Sequence, residues 1–182
     1  ILQEVGQLYE SEVIIHITGA LETGDYGIDL YGKRMLPELL EAICTQYPNC
    51  EYAILNLHPD GLTEELVKVF RKNHNISYVH VAIEHVDNAM LQKMQRPNCE
   101  QTLQTLQKLQ QVRPDLAIST NIILGFPGEN ELAHKRLCSA LQTIRWEHIH
   151  INEYEKVQGT PSGMVLDKIP ESIKEQRRQE LI

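Results

Sequence analysis

The chain has 182 residues, 42% of them hydrophobic, which is the size and composition of one domain with a substantial core. Its formal net charge of −8, from 25 acidic and 17 basic residues, argues against a broad nucleic-acid-binding surface. No apolar run reaches membrane-spanning length and no signal peptide opens the chain, so we expect a cytoplasmic protein without membrane contact.

The cysteines and the two ends of the chain carry further expectations. Cys44, Cys50, Cys99 and Cys138 are scattered without C-x-x-C spacing, and a domain of this size needs no disulfides, so reduced thiols are predicted. Helical spacing begins at residue 1 without an N-cap, and the last predicted helix has no stop signal. We therefore expect a piece of a longer protein.

Periodicity and turn residues predict five strands that alternate with helices. The strands are predicted over residues 13–18, 51–57, 78–84, 117–124 and 148–154. The helices are predicted over residues 1–10, 36–47, 63–72, 87–95, 99–112, 129–144 and 173–182, with a long loop over residues 19–33. We expect Leu2, Val5 and Leu8 to form the buried face of the first helix, and Leu132 to face inward from the helix over 129–144. Five alternations predict a parallel sheet or barrel.

Residues 117–129 form the segment around which the prediction is organised. A β-branched strand ends at Gly125, Pro127 and Gly128, and a helix follows. In parallel α/β folds ligands lie beyond the carboxyl ends of strands, at turns of this kind. Glycine allows close approach to the backbone, and the start of the helix is expected to offer free N–H groups. The alternative is a plain turn between a strand and a helix.

Every second residue of the predicted strands is polar. These residues are His16 and Thr18; Asn56 and His58; His80 and Glu84; Ser119 and Asn121; His150, Asn152 and Tyr154. The intervening residues are mostly apolar, although Thr120 falls on the apolar side. One polar and one apolar face on consecutive parallel strands favour a barrel whose interior holds a polar ligand.

Two hydrolytic functions are weaker alternatives. His148 and His150 share one face of a strand and could bind one metal ion, but no other histidine pair completes a ligand set. Glu22 and Glu84 follow strands and could form the carboxylate pair of a glycosidase. No P-loop, nucleophile elbow or G-x-G-x-x-G motif is present.

Five short blocks, in order, resemble the radical S-adenosylmethionine methylthiotransferase family. They cover residues 20–33, 57–63, 84–88, 123–129 (Ile-Leu-Gly-Phe-Pro-Gly-Glu) and 159–161. The resemblance implies an α/β fold, a partial TIM-like barrel of about five βα units. It also implies that the parent enzyme cleaves S-adenosylmethionine reductively, abstracts hydrogen from its substrate and inserts sulfur, with the chemistry supplied by the cofactor.

The same resemblance implies where the cofactors lie. Members of the family bind a 4Fe–4S cluster on a C-x-x-x-C-x-x-C loop that precedes the region matched here, so the cluster ligands are expected outside this chain. Residues 1–182 would be the catalytic barrel, without the flanking amino-terminal and substrate-binding domains. The residues expected to contact S-adenosylmethionine are Thr18, Gly19, Ala20, Glu84, Asn121, Gly125, Phe126 and Tyr154. Glu22, Asp60, His85 and Glu129 are alternatively helix caps or loop supports.

Two branches of the family differ in substrate. One thiolates an aspartate of a small-subunit ribosomal protein, and the other modifies tRNA adenosines. Residues 26–33 and His85 resemble the ribosomal-protein branch, which is favoured. The isolated segment is expected to be inactive, and a binding module remains the non-enzymatic alternative. Because the family's barrel has a strand before residues 13–18, self-association through this open edge is also expected.

Overall fold

The structure is a computed structural model that describes residues 1–9, 13–19, 22–160, 162–164 and 169–181. Ala20, one of the expected cofactor contacts, lies outside the described residues. The strands are β1 (Ile14–Thr18), β2 (Glu51–Leu57), β3 (Ile76–Val81), β4 (Ala117–Leu124) and β5 (His148–Glu153). All four neighbouring pairs are parallel.

Helices connect these strands. They are α1 (Leu2–Leu8), α2 (Ile28–Tyr31), α3 (Leu36–Gln46), α4 (Glu64–Lys72), α5 (Asn88–Lys93), α6 (Glu100–Val112), α7 (Glu131–Leu141) and α8 (Glu171–Leu181). Short 3-10 helices cover Thr23–Asp25, Pro59–Gly61 and Ser162–Met164. Within the described ranges, no helix is both long and apolar enough to cross a membrane.

The sheet order is β1-β2-β3-β4-β5, so each strand lies beside its neighbour in sequence. Sequential parallel strands joined by helices are the arrangement of a (β/α) barrel segment. The predicted α/β fold of a partial TIM-like barrel with five βα units is therefore confirmed. Because all strands run in one direction, their carboxyl ends share one edge of the sheet, which is where the predicted site residues lie.

The two faces of the sheet differ as the alternation predicted. The apolar face is buried beneath helices and includes Ile15, Ile54, Val79, Ile118 and Ile122. The opposite face carries residues exposed to solvent, among them His16, Thr18, His150 and Asn152. The sheet therefore has one face packed against helices and one face that carries polar residues.

Thr120, the polar residue on the apolar side, closes a gap between β3 and β4. Its hydroxyl donates to the Val81 carbonyl at 2.7 Å and accepts the Ile83 N–H at 3.4 Å. β3 ends at Val81, so this hydroxyl takes the place of ladder hydrogen bonds that the two strands no longer make. The predicted strand over 78–84 was therefore wrong at both ends, because β3 begins at Ile76 and leaves the sheet early.

Three expectations about helices were wrong. Leu2 and Leu8 are exposed, because α1 packs through Val5 and through Gly6, where a Cβ would lie 2.6 Å from the Tyr47 hydroxyl. Leu132 is 57% exposed, because its spacing of five residues from Leu137 places it on another side of α7 from the buried Leu137 and Leu141. The loop predicted over 19–33 contains α2 and a 3-10 helix.

Candidate functional site

The candidate site begins where β3 ends. Glu84 returns to the sheet through a single parallel bridge to Ile122, with its N–H donating to the Asn121 carbonyl at 3.0 Å. Its own carbonyl accepts the Ile123 N–H at 2.9 Å. Glu84 has a φ of 61°, a left-handed conformation that costs a non-glycine residue about 1–3 kcal/mol and is concentrated at functional sites. The backbone thus fixes the Glu84 side chain beside β4.

The Glu84 carboxylate is buried, with 5% of the residue exposed. Oε1 accepts hydrogen bonds from Asn121 Nδ2 at 2.8 Å and from Arg96 Nη2 at 3.0 Å, whereas buried Oε2 has no partner among the residues that the structure describes. Burial raises the pKa of Glu84, and the Arg96 charge and the Asn121 hydrogen bond oppose that rise only in part. Glu84 and Asn121, both predicted from the sequence, are therefore joined in one buried polar pair.

Tyr154 and Phe126 form the other half of the site. The Tyr154 N–H donates to the Leu124 carbonyl at 2.8 Å, which holds the residue beside the end of β4. The two rings meet edge to face, with centroids 5.0 Å apart. Within the described ranges, the Tyr154 hydroxyl and Asn121 Oδ1 are both buried without a hydrogen-bond partner.

Two cavities open at this edge of the sheet. One, of about 290 Å³, is lined by Glu84, Ile123 and Phe126. The other, of about 390 Å³, is lined by Gly125 and Tyr154. The predicted residues from the ends of three successive strands therefore face space that a small ligand can enter.

The backbone turn at Gly125 is held in place by side chains of this chain. Gly125 has a φ of +74°, and a Cβ there would lie 2.7 Å from Lys174 Cε. Its N–H donates to Glu129 Oε2 at 2.6 Å, and the same oxygen pairs with Arg177 at 3.0 Å. The Gly125 amide is therefore already bound within the turn. At the start of α7, where free N–H groups were expected, the Ala133 N–H donates to Asn130 Oδ1 at 2.9 Å.

Glu129 supports the turn rather than facing a cavity. It is buried, and its Oε1 lies 3.6 Å from His85 Nε2. Burial raises the pKa of Glu129, but the contacts with His85, Gly125 and Arg177 outweigh burial and lower it overall. Glu129 is therefore a buried carboxylate that fixes the loop, the alternative role that the sequence had left open.

The first strand contributes a separate part of the edge. Thr18 is exposed and accepts a hydrogen bond from Asn56 Nδ2 at 3.2 Å. The Gly19 N–H donates to Thr23 Oγ1 at 2.8 Å, and a Cβ on Gly19 would lie 2.7 Å from the Glu22 carbonyl oxygen. Within the described part of the chain, no hydrogen bond joins this segment to Glu84, so its contact with a ligand remains a prediction.

Arg96 is the functional residue that the sequence prediction missed. It follows Gln95, which has a φ of 57°, and its backbone N–H donates to the Leu91 carbonyl at 2.8 Å. These features turn the guanidinium back toward Glu84. No periodic pattern marks Arg96, and the only local signal is its place just after the short predicted helix.

The hydrolytic alternatives are not favoured. The His148 and His150 rings lie 4.1 Å apart, but the pair has no third metal ligand among the residues that the structure describes. The carboxylate of Glu22 accepts the Gly24 N–H at 2.8 Å and caps a 3-10 helix. Neither set has the convergent groups that its chemistry requires.

Comparison with known proteins then decides the family. The Radical SAM superfamily matches residues 1–141. The chain belongs to the radical SAM superfamily. Membership implies the use of S-adenosylmethionine and a 4Fe–4S cluster, as the resemblance had predicted.

Curated relatives within the superfamily cover the whole chain. It is 34% identical to the ribosomal protein uS12 methylthiotransferase RimO of Lachnoclostridium phytofermentans and 32% identical to that of Clostridium tetani. The resemblance to methylthiotransferases is thus confirmed. The chain spans 42% and 41% of the length of these two relatives.

Solved radical SAM structures share the fold. Coproporphyrinogen III oxidase from Escherichia coli matches with a TM-score of 0.63 at 10% identity, over 79% of this chain and 34% of that one. A domain of pyruvate-formate lyase-activating enzyme from Bacteroides vulgatus matches with a TM-score of 0.58 at 17% identity, over 92% and 91%. At these identities the likeness concerns the radical SAM barrel alone.

Proposed function

We propose that this chain is the catalytic-barrel segment of a radical SAM methylthiotransferase that thiolates an aspartate of ribosomal protein uS12 in the cytoplasm. The support is superfamily membership together with the names of relatives that match the full length of the chain. Because the chain spans less than half of those relatives, the activity and substrate of the whole protein are our inference.

The observation that carries the proposal is a set of buried polar atoms that have no hydrogen-bond partner in the described part of the chain. Glu84 Oε2, Asn121 Oδ1 and the Tyr154 hydroxyl all lie near the carboxyl edge of the sheet. Nearly all buried polar groups in folded proteins are hydrogen-bonded, so orphaned ones in one region need an explanation. The explanation we favour is a polar ligand that completes their hydrogen bonds.

These atoms fit S-adenosylmethionine chemically. Glu84 Oε2 and Asn121 Oδ1 are acceptors for amino and hydroxyl groups, and the carboxylate also attracts a positively charged ligand. The Tyr154 hydroxyl can donate to a carboxylate or ring nitrogen. The edge-to-face pair of Phe126 and Tyr154 supplies an apolar wall that excludes water.

When bound beside the cluster, S-adenosylmethionine supplies the radical that abstracts hydrogen from the substrate. The residues of this chain bind and orient it. Arg96 and Asn121 hold Glu84 Oε1, which leaves Oε2 directed to the ligand. Glu129 holds the Gly125 turn rigid through the backbone N–H, so the floor of the site is formed before the ligand arrives.

The test uses the full-length enzyme with reconstituted clusters, S-adenosylmethionine, a sulfur source and a reductant. Recombinant uS12 and unmodified tRNA are offered separately, and mass spectrometry looks for one added methylthio group. We expect it on the uS12 aspartate. Modification of tRNA instead would assign the chain to the tRNA branch, and modification of neither would overturn the proposal. An Asn121→Ala enzyme should be less active at limiting S-adenosylmethionine, while an Asn49→Ala enzyme, altered at an exposed position before β2, should retain parent activity.

A further inference from the structure

Three metal-ligating side chains meet on the outer side of the domain, between α7 and α8. His134 and Cys138 are four residues apart on α7 and so share one face of the helix. His134 Nε2 lies 3.4 Å from Cys138 Sγ and 2.8 Å from Glu180 Oε2. One ligand atom from each residue lies within 4.8 Å of the other two. The radical chemistry proposed above uses none of them.

His134 is fully buried and lies between two carboxylates. Its Nδ1 has no hydrogen-bond partner among the described residues and faces Glu129 Oε1 at 3.9 Å, while its Nε2 faces Glu180. A carboxylate behind the Nδ1 side favours the tautomer with the proton on Nδ1. The Nε2 lone pair then points toward a carboxylate oxygen and a sulfur. Lone pairs that converge in this way need a cation between them, either a proton or a metal ion.

The local charges favour a divalent metal ion. Arg177 pairs directly with Glu129 at 3.0 Å, and Gln176 Nε2 donates to Glu180 Oε1 at 2.9 Å, so Glu180 Oε2 is the oxygen that faces His134. A Cys138 thiolate and the Glu180 carboxylate contribute two negative charges, which a divalent ion balances. Bond lengths of 2.0–2.3 Å place tetrahedral zinc ligands roughly 3.3–3.7 Å apart. The described contacts need only a small outward shift of Glu180, whose side chain is exposed.

We propose that His134 Nε2, Cys138 Sγ and Glu180 form a binding site for a zinc-type divalent metal ion that joins α7 to α8, with Glu129 orienting His134 from behind. Nitrogen, sulfur and oxygen from three residues are the donor set that zinc takes, and water completes four-fold coordination. Glu129 also holds the Gly125 N–H, so the ion would stiffen the support of the glycine turn. This site is separate from the S-adenosylmethionine site, and its test does not depend on methylthiotransferase activity.

The test uses the 182-residue chain, first treated with a chelator, and adds zinc in competition with a chromophoric chelator. We expect one zinc per chain. Cobalt, used as a spectroscopic probe, should give a thiolate-to-metal charge-transfer band and the d–d bands of a tetrahedral site. Cys138→Ser should abolish the charge-transfer band, and Glu180→Gln should weaken zinc binding by at least about tenfold, the loss common even for groups that only orient a ligand.

The matched control is Glu175→Gln on the same helix, because that carboxylate contacts only Gln179 in the described structure. Its zinc affinity should equal that of the parent chain. Circular dichroism of the metal-free variants shows whether each folds; if Cys138→Ser does not, exposed Glu180→Gln carries the test. Zinc affinity that is the same in parent, Cys138→Ser and Glu180→Gln, or a cobalt spectrum without a thiolate band, would show that a proton rather than a metal holds His134.

Discussion

The two ends of the sheet differ in whether their buried polar groups have hydrogen-bond partners. At the amino-terminal end, the fully buried Arg113 donates to the carbonyls of Asn73 and Ile76 at 3.2 and 2.9 Å, to the Phe70 carbonyl, and to Asp115 at 2.8 Å. At the carboxyl-terminal end, buried atoms of Glu84, Asn121 and Tyr154 have no hydrogen-bond partner in the part of the chain that the structure describes. One end is complete without a ligand, and the other is not.

This difference separates scaffold from site. Arg113 joins the loop before β3 to the loop before β4, so its hydrogen bonds hold two connections that are far apart in sequence. A buried polar group with every partner in place contributes rigidity, whereas an unpartnered one carries a free-energy cost that a bound ligand or water molecule can offset. We therefore expect substitutions at the first end to change folding stability, and substitutions at the second end to change binding.

Arg113→Ala should have the largest effect on stability. It leaves several buried carbonyls without a donor and Asp115 without its charge partner, and losing one member of a buried network costs about 3–5 kcal/mol. Guanidinium unfolding of parent and variant measures the difference. Arg34→Ala is the control, because that partly exposed arginine pairs with surface carboxylates and should cost about 1 kcal/mol or less. Equal losses for the two variants would contradict the division into two ends.

Asn121→Ala should have its main effect on ligand affinity. It removes an acceptor and a donor at the edge of the site, and a lost ligand hydrogen bond costs about 0.5–1.5 kcal/mol, or roughly 2- to 13-fold in affinity. Calorimetric titration of S-adenosylmethionine into the full-length enzyme measures this, with Asn49→Ala, at an exposed position before β2, as the control. If Asn121→Ala lowered stability and left affinity unchanged, Asn121 would belong to the scaffold.

Strand periodicity predicted the positions of Asn121 and Tyr154 in the site better than the position of Glu84. Asn121 and Tyr154 followed from alternation and resemblance, and the structure places both at the carboxyl edge. Glu84 was placed at the end of a continuous strand, but β3 stops at Val81 and Glu84 adopts a left-handed conformation instead. The early end of β3 is stabilised by the Thr120 hydroxyl, which donates to the Val81 carbonyl from β4. The residue pattern around Val81 alone does not predict this contact with another strand.

Arginines and exposed leucines show why the rest was missed. Arg96 and Arg113 lie in loops and reach their partners through long side chains. Arg96 bonds to Glu84, 12 residues away in sequence, and Arg113 bonds to Phe70, 43 residues away. Leu132 was counted in the apolar stripe of its helix, yet it is exposed, because it lies five residues before Leu137 and therefore on another side of α7. Only residues three or four apart share one face of a helix, so a leucine at another spacing is not evidence for the buried face.

Asp115→Asn should change the acid limb of the stability curve. Hydrogen bonds and the charge of Arg113 hold the pKa of Asp115 well below its usual range, against the opposing effect of burial. A depressed carboxyl pKa contributes stability above the unfolded pKa of about 3.9, and that stability is lost as pH falls below it. Melting temperatures measured from about pH 5 to pH 2 should fall more gently for Asp115→Asn than for the parent. A variant curve parallel to the parent curve would mean that Arg113 does not depend on this partner, and Glu175→Gln provides the surface control.

The outer edge of β1 leaves backbone groups, rather than side chains, without partners in the described part of the chain. Within the described residues only β2 pairs with β1, so the other side of Ile14–Thr18 presents unpaired N–H and C=O groups. No proline, lysine or glycine interrupts this strand. Ile15 is buried in the core and Ile14 is 51% exposed, so a lysine at Ile14 protects the edge without disturbing packing.

We expect the chain to self-associate with a concentration dependence visible by light scattering, and Ile14→Lys to reduce it. Pairing through a strand edge is a weak and salt-insensitive contact, which makes this the smallest of the four effects. A chain that remains monomeric at high concentration, with or without the lysine, would show that the β1 edge is covered by another segment.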